Sequence, residues 1–298
     1  MNPTIRNHVV LTLAAGILSI GISQNSATAQ SLLLDFGPTA VASPYLTLDP
    51  GHNLGAISGT DTSWNVLTTS ATTSSLNYGD GTAASGLTLA LGEEATAGNN
   101  IISYSTPIGK LTLAGSGGAV SGQTNLLGVG SIYGDNSSST AVGRDGFFGD
   151  GTATAGNAIG LRLDGLASGS YAVYIMARNV NSDAASYPMN IYSTVGASAG
   201  TFNFSSLTAN PEANTGYTAL AYTGQYNTFA NGENYVSINV TIGSGNSLFL
   251  AVDGGNNTID SRGFLNMVEV VAVPEPATWA LVGMGVFALL RVVQRKTA

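Results

Sequence analysis

Tyr235-Val236-Ser237-Ile238-Asn239-Val240-Thr241-Ile242 is the stretch that decides the fold class. From Val236 to Thr241 the residues alternate: Val236, Ile238 and Val240 point one way, and Ser237, Asn239 and Thr241 the other. A period of two is that of a β-strand with one buried and one wet face. Gly243-Ser244-Gly245-Asn246 follows and supplies positive-φ residues, which predicts a hairpin into a strand over 247–252. Upstream, Tyr171, Val173, Ile175 and Ala177 alternate with Ala172, Tyr174 and Met176. Both sides of that strand are partly apolar, so it belongs in the middle of a sandwich.

Outward from these two, short apolar or alternating runs recur between Gly, Asn and Asp clusters, and the abundant Gly, Ser, Thr, Ala and Asn disfavour long helices. Further strands are predicted at 31–36, 64–69, 87–91, 110–114, 158–163, 190–194, 201–205, 217–222 and 264–271. The expected class is all-β, with a jelly roll or an immunoglobulin-like β-sandwich as the body. The chain has no cysteine, so such a body must be held by burial alone. About 240 residues suffice for one such domain.

Leu161-Arg162-Leu163-Asp164-Gly165-Leu166-Ala167-Ser168-Gly169-Ser170-Tyr171-Ala172-Val173-Tyr174 is a strand, a Gly-Leu corner with small residues, and a Tyr-bearing strand. It resembles a corner of galactose-binding-like jelly rolls. The closing segments 248–253 and 264–270 look like the last strand pair of those domains.

Both ends of the chain read as targeting segments. Residues 1–29 have the form of a secretory signal: Arg6 in a polar start, an apolar core from Val9 to Ile22, and Ala27-Thr28-Ala29 as a small-x-small cleavage site that would leave Gln30 first. At the other end, Val273-Pro274-Glu275-Pro276 precedes an uncharged run of 14 residues, 277–290, with Trp279 near one end and Arg291, Arg295 and Lys296 behind it. The prolines forbid helix before the run begins, the indole ring suits a membrane interface, and the basic residues stop transfer on the cytoplasmic side. A single transmembrane helix over 277–293 is at the lower edge of the usual span of about 17 to 25 residues. So short a span suits a temporary handle better than a permanent anchor. The expected divisions are a signal peptide (1–29, with a signal helix), an exported β-rich domain (30–272) and a sorting segment (273–298).

Residues 273–296 resemble the PEP-CTERM sorting signal of Gram-negative surface and exopolysaccharide-associated proteins. The resemblance implies recognition by a membrane-embedded exosortase, cleavage near Pro274-Glu275-Pro276, transient residence in the inner membrane, and delivery to the cell surface or a biofilm matrix. In this chain Val292, Val293 and Gln294 dilute the basic end.

Between the two ends lie 5 basic and 16 acidic residues, a net charge of −11. That balance argues against nucleic acid or an anionic membrane face as partner, because phosphate binding needs clustered Lys and Arg. Catalytic inventories are thin. Gly196-Ala197-Ser198-Ala199-Gly200 has the spacing of a nucleophile elbow, but His52, the one histidine of this region, lies upstream. Gly79-x-Gly81-x-x-Ala84 has dinucleotide-fingerprint spacing without a βαβ unit around it. Glu93-Glu94, or Glu212 with Glu233, are the carboxylates a glycan-cleaving enzyme could use.

Two binding readings stay open beside their structural counterparts. Tyr78-Gly79-Asp80-Gly81-Thr82-Ala83 is echoed by Phe148-Gly149-Asp150-Gly151-Thr152-Ala153, with Tyr133-Gly134-Asp135-Asn136 as a partial copy. Asp80, Asp135 and Asp150 with Gly-freed carbonyls suit calcium, and the same pattern makes tight turns. Trp64 beside Asn65, Tyr133, and Phe148 are candidate aromatic platforms for a sugar, although Trp64, the one tryptophan of this region, is better read as a core residue. The chain therefore reads as an exported, non-catalytic surface or matrix protein needing no cofactor, with a carbohydrate-binding module or a glycan-cleaving enzyme as alternatives.

Overall fold

The structure, a computed structural model, describes residues 30–37, 47, 49–68, 72–105, 146–149, 151–152, 155–177, 189–207, 216–220, 229–232, 235–255 and 261–273. The chain opens with β1 (Ser31–Phe36), a single helical turn α1 (Pro50–Asn53), β2 (Trp64–Leu67), β3 (Thr88–Glu94) and β4 (Ile101–Ser103). It continues through β5 (Phe147–Phe148), β6 (Gly151–Thr152), β7 (Ala155–Gly156), β8 (Ile159–Asp164) and β9 (Gly169–Met176). Next come β10 (Met189–Ala197), β11 (Thr201–Asn203), β12 (Gly216–Leu220) and β13 (Val236–Ile242). β14 (Asn246–Asp253), β15 (Phe264–Leu265) and β16 (Met267–Val273) complete it. The all-β class follows.

Two large sheets carry the architecture, a five-stranded one in the order β13-β9-β16-β1-β2 and a seven-stranded one in the order β11-β4-β3-β8-β14-β10-β12. They share one apolar core, to which the first sheet gives Leu32, Leu34, Phe36, Val173 and Ile175 and the second Leu89, Leu91, Leu161, Leu163, Leu248 and Leu250. Phe36 meets Phe147 there, ring centroids 6.1 Å apart. Burying one such side chain contributes about 1.5–3 kcal/mol, and it is burial on this scale that replaces disulfides. On the other side of the seven-stranded sheet, Ile102, Phe202, Phe204 and Phe249 make a second, smaller cluster with Tyr104 and Tyr192 packed on it.

The alternation in β13 places Val236 and Val240 in the core and leaves Asn239 and Thr241 exposed. β9, apolar on both sides, lies between β13 and β16. The β8–β9 corner is also as read: Gly165, at φ +86°, sets its back against the carbonyl of Gly86, and the Tyr171 hydroxyl donates to Ala167 O at 2.8 Å.

Two readings are corrected. The turn at 243–246 forms, with Asn246 N donating to Gly243 O at 3.1 Å, but no hairpin follows. β13 pairs with β9 in one sheet while β14 pairs with β8 and β10 in the other. The reason lies in the side chains: β14 buries Leu248, Leu250 and Val252 in the main core and Phe249 and Ala251 in the second cluster. A strand apolar on both faces needs a neighbour at each edge and a layer on each side. β13, wet on one face, suits the margin of a sheet. Nor are 248–253 and 264–270 a strand pair, because β16 is inserted between β9 and β1 of the opposite sheet.

Among the described residues no helix is long and apolar enough to cross a membrane. The segments 1–29 and 277–293 and the strand predicted at 110–114 lie outside the described residues.

Candidate functional site

Three places are relevant to function: the sheet end where Gln30 and Ala272 meet, a groove beside it, and a buried polar cluster on the adjoining loop.

At the sheet end, β1 and β16 run antiparallel with Ser31 opposite Val271, and Ala272 N donates to Gln30 O at 3.0 Å. Val273, the last residue of β16, is 41% exposed, a large apolar side chain at the surface directly before Pro274. Pro274, Glu275, Pro276, Trp279, Arg291, Arg295 and Lys296 lie outside the described residues, as do Ala27 and Ala29.

Beside this end is a groove of about 490 Å³ lined by Gln30, Ser31, Ser58, Asp61, Tyr78 and Asp80, among others. Asp61 accepts from the Ser31 hydroxyl at 3.1 Å. Asp80 sits in a tight turn: its Oδ1 accepts from Thr82 N at 2.9 Å and from Thr82 Oγ1 at 2.6 Å, while Gly81 takes φ +86°. The Thr82 hydroxyl, followed by the Thr82 amide, holds the Asp80 carboxyl below the usual carboxylate range. Asp135, Asp150 and Tyr133 lie outside the described residues.

The remaining candidates are engaged locally. Trp64 is partly buried against the core, its backbone in parallel register with Leu33. The Asn65 side chain donates to Leu33 O at 2.9 Å and Asn77 O at 2.8 Å and accepts from Asn77 N at 2.8 Å, tying β2 to the loop ahead of β3. Phe148 is buried, its ring 5.4 Å from that of Phe264, with the Arg262 guanidinium 4.6 Å above it. Gly196-Ala197-Ser198-Ala199-Gly200 joins strand β10 to strand β11, without the helix a nucleophile elbow requires. Glu94 is buried, and its two oxygens accept from Asn100 N at 2.5 Å, Ala158 N at 2.9 Å and Gly98 N at 3.3 Å. Glu212 and Glu233 lie outside the described residues.

The buried cluster is one the sequence reading did not assemble. Asp49 caps α1, its Oδ1 accepting from His52 N at 2.9 Å, with Pro50 at the first helical position where no amide is needed. This cap turns the His52 ring back so that Nδ1 lies 2.5 Å from Asp49 Oδ2 and Nε2 lies 3.0 Å from Asp61 O. From β16, Glu269 rises into the same space and accepts from Gly51 N at 2.9 Å through Oε2. A side chain at position 51 would place its first carbon 2.7 Å from that oxygen, so a glycine is needed there. Burial would lower the His52 pKa, but the Asp49 carboxylate and the backbone of Asp61 and Ser58 together outweigh it, and the imidazole stands above its ordinary value. Burial, then the adjacent Asp49 carboxylate, push Glu269 well above the usual carboxylate range against the pull of the Gly51 amide. Two signals in the sequence point here. Asp-Pro-Gly-His is a helix start with its cap, and Glu269 is a lone charge inside an apolar run, Met267-Val268-Glu269-Val270-Val271, that needs partners.

No curated protein matches the chain. Residues 272–296 match the PEP-CTERM protein-sorting motif. With β16 ending at Val273 and Pro274-Glu275-Pro276 next in line, the chain carries at this point the sorting signal of proteins that an exosortase directs to the cell surface.

Proposed function

We propose that residues 30–273 form a non-catalytic cargo domain, released to the surface or its exopolysaccharide matrix when both tethers are cut. The observation that carries this reading is the hydrogen bond between Gln30 and Ala272. It brings the expected signal-peptidase and exosortase cutting points to one end of one sheet. A domain so arranged can fold completely while held to the inner membrane by both termini, and its finished core does not depend on either tether. The helix expected over 277–293 is then a transient anchor.

Non-catalysis is supported by how the carboxylates are committed. Glu94 organises three backbone amides, and Asp80, in the groove, is held to the ionised form by Thr82, the opposite of what a general acid in glycan cleavage requires. Jelly-roll topology is favoured by the path of the chain, which alternates sheets through β8, β9 and β10 and again through β13, β14 and β16. An immunoglobulin-like sandwich keeps consecutive strands such as A and B in one sheet.

The test is terminal and intact-mass analysis of the mature protein from cells with and without the exosortase. The reading predicts Gln30 at the start and loss of everything beyond the Pro-Glu-Pro region only when the exosortase is present; an intact 277–298 on surface material would overturn it.

A second reading, carbohydrate binding, is favoured by the groove, which Tyr78 lines together with Ser31, Ser58, Thr60, Asp61 and Asp80. Polysaccharide pull-down by the full chain, lost on Tyr78→Ala with the fold intact, would support it; unchanged retention would sink it.

A further inference from the structure

We propose that Asp49, His52 and Glu269 bind one divalent cation of the zinc type on the outer side of the five-stranded sheet. Each of the three side chains is held by the backbone at one polar atom. Asp49 Oδ1 is fixed by His52 N–H, His52 Nε2 by the carbonyl of Asp61, and Glu269 Oε2 by Gly51 N–H. Each residue thus has one polar atom oriented by the backbone; of the second atoms, Glu269 Oε1 has no partner, while Asp49 Oδ2 and His52 Nδ1 meet each other at 2.5 Å in a contact that the cation would replace. Metal ligands are typically oriented this way, with the non-ligating atom hydrogen-bonded to a backbone or carboxylate partner.

The second observation is the state of the inward atoms. Glu269 is 0% exposed, and its Oε1 is the one buried side-chain oxygen or nitrogen among the described residues without a hydrogen-bond partner. A carbonyl oxygen only accepts, so His52 Nε2 carries hydrogen, and Nδ1 faces Asp49 Oδ2 at 2.5 Å. One donor atom from each of the three residues falls within 4.8 Å of the other two. Small side-chain adjustments bring such a set to the metal–ligand lengths of about 2.0–2.2 Å that zinc makes with nitrogen and carboxylate oxygen.

The donor set selects the cation. One imidazole and two carboxylates without thiolate suit zinc or its divalent neighbours, whereas calcium takes about 6–8 oxygens and magnesium keeps several waters. Asp49 is also 0% exposed, and two carboxylates neutralise a divalent charge, which removes the cost of burying either alone.

The experiment uses the full-length chain in detergent, stripped with chelator and titrated with zinc, with metal content read by mass spectrometry and stability by thermal melting. One zinc per chain and a raised Tm are expected, together with a visible absorption band when cobalt replaces zinc. All three should disappear in His52→Ala. Glu269→Gln keeps an acceptor for Gly51 N–H and should weaken affinity at least tenfold. If zinc neither stays bound nor moves Tm, protons occupy these atoms and the proposal is wrong. It is equally wrong if both variants bind like the parent, since the ion then sits elsewhere. Neither outcome bears on the sorting reading, which rests on 272–296 and on the Gln30–Ala272 pairing.

Discussion

Ala272 hands its amide to the carbonyl of Gln30 at 3.0 Å, so the residue that would start the mature chain and the residue two before Pro274 are hydrogen-bonded neighbours. Strand β16 makes this contact while also pairing with β9, and it is the strand that joins β9 and β13 to β1 and β2.

Disrupting β16 should therefore undo the first strand as well as the last. Val271 lies opposite Ser31 on one side and Ala172 on the other. Val271→Pro puts a residue without an amide into a strand paired at both edges, which sheets do not tolerate in their interior. Limited proteolysis should then cut within 31–36, a segment fully buried in the parent, at protease levels that leave the parent intact.

Glu94 should prove a structural residue of the first rank. Its carboxylate holds Asn100 N, Gly98 N and Ala158 N, and Asn100 takes φ +58° in the turn so formed. Glu94→Ala leaves these amides without their acceptor, at about 1–3 kcal/mol for a buried one; that of Ala158 is buried and those of Gly98 and Asn100 reach water, so a loss of about 1–3 kcal/mol is expected from urea unfolding. Glu94→Gln, which keeps one oxygen, should lose less.

Asp253 offers a pH test with a defined sign. Burial raises its pKa above 3.8, the nearby Glu94 charge adds to this, and the Gly255 amide, 3.0 Å away, works against both. The folded chain then binds more protons at this site than the unfolded chain, so stability declines as pH rises through the window above 3.8. Asp253→Asn keeps an oxygen for Gly255 and removes the charge. Its Tm should exceed the parent's at neutral pH and converge with it below about pH 4.

The β8–β9 corner can be probed twice. Tyr171→Phe deletes the bond to Ala167 O, worth about 0.5–1.5 kcal/mol. Gly165→Ala asks a side chain to adopt φ +86° against the Gly86 carbonyl and should cost more than that. Both values come from chemical denaturation, and the reverse order would mean that the corner is held by the hydroxyl rather than by backbone geometry.

Much of this fold was legible because the signal is local. Alternation in 236–242, two-sided apolarity in 171–177 and the Gly165 corner are properties of consecutive residues, and β1 begins and ends where its apolar run does. What failed was partner choice. The turn at 243–246 looks like a hairpin from its own residues. Only the second cluster around Phe202 and Phe249, contributed by residues distant in sequence, makes β14 a central strand of the other sheet. The sorting motif was legible for the same local reason, as Val273-Pro274-Glu275-Pro276 stands beside its apolar run. The Asp49–His52–Glu269 cluster was not, because Gly51 and Glu269, which meet at 2.9 Å, are 218 positions apart.

The place of β16 also sets an order of events in time. β1 is the first of the described strands to be synthesised, and its antiparallel partner β16 is the last. Until residues 267–273 have been made, β1 has only the parallel edge of β2 to pair with, and the halves β13-β9 and β1-β2 remain separate. Pairing across so long a span of chain is slow and cannot begin early. The sheet thus closes only when the strand that leads directly into the sorting motif is in place, and a chain cut off short of β16 during synthesis would stay open and exposed to proteases.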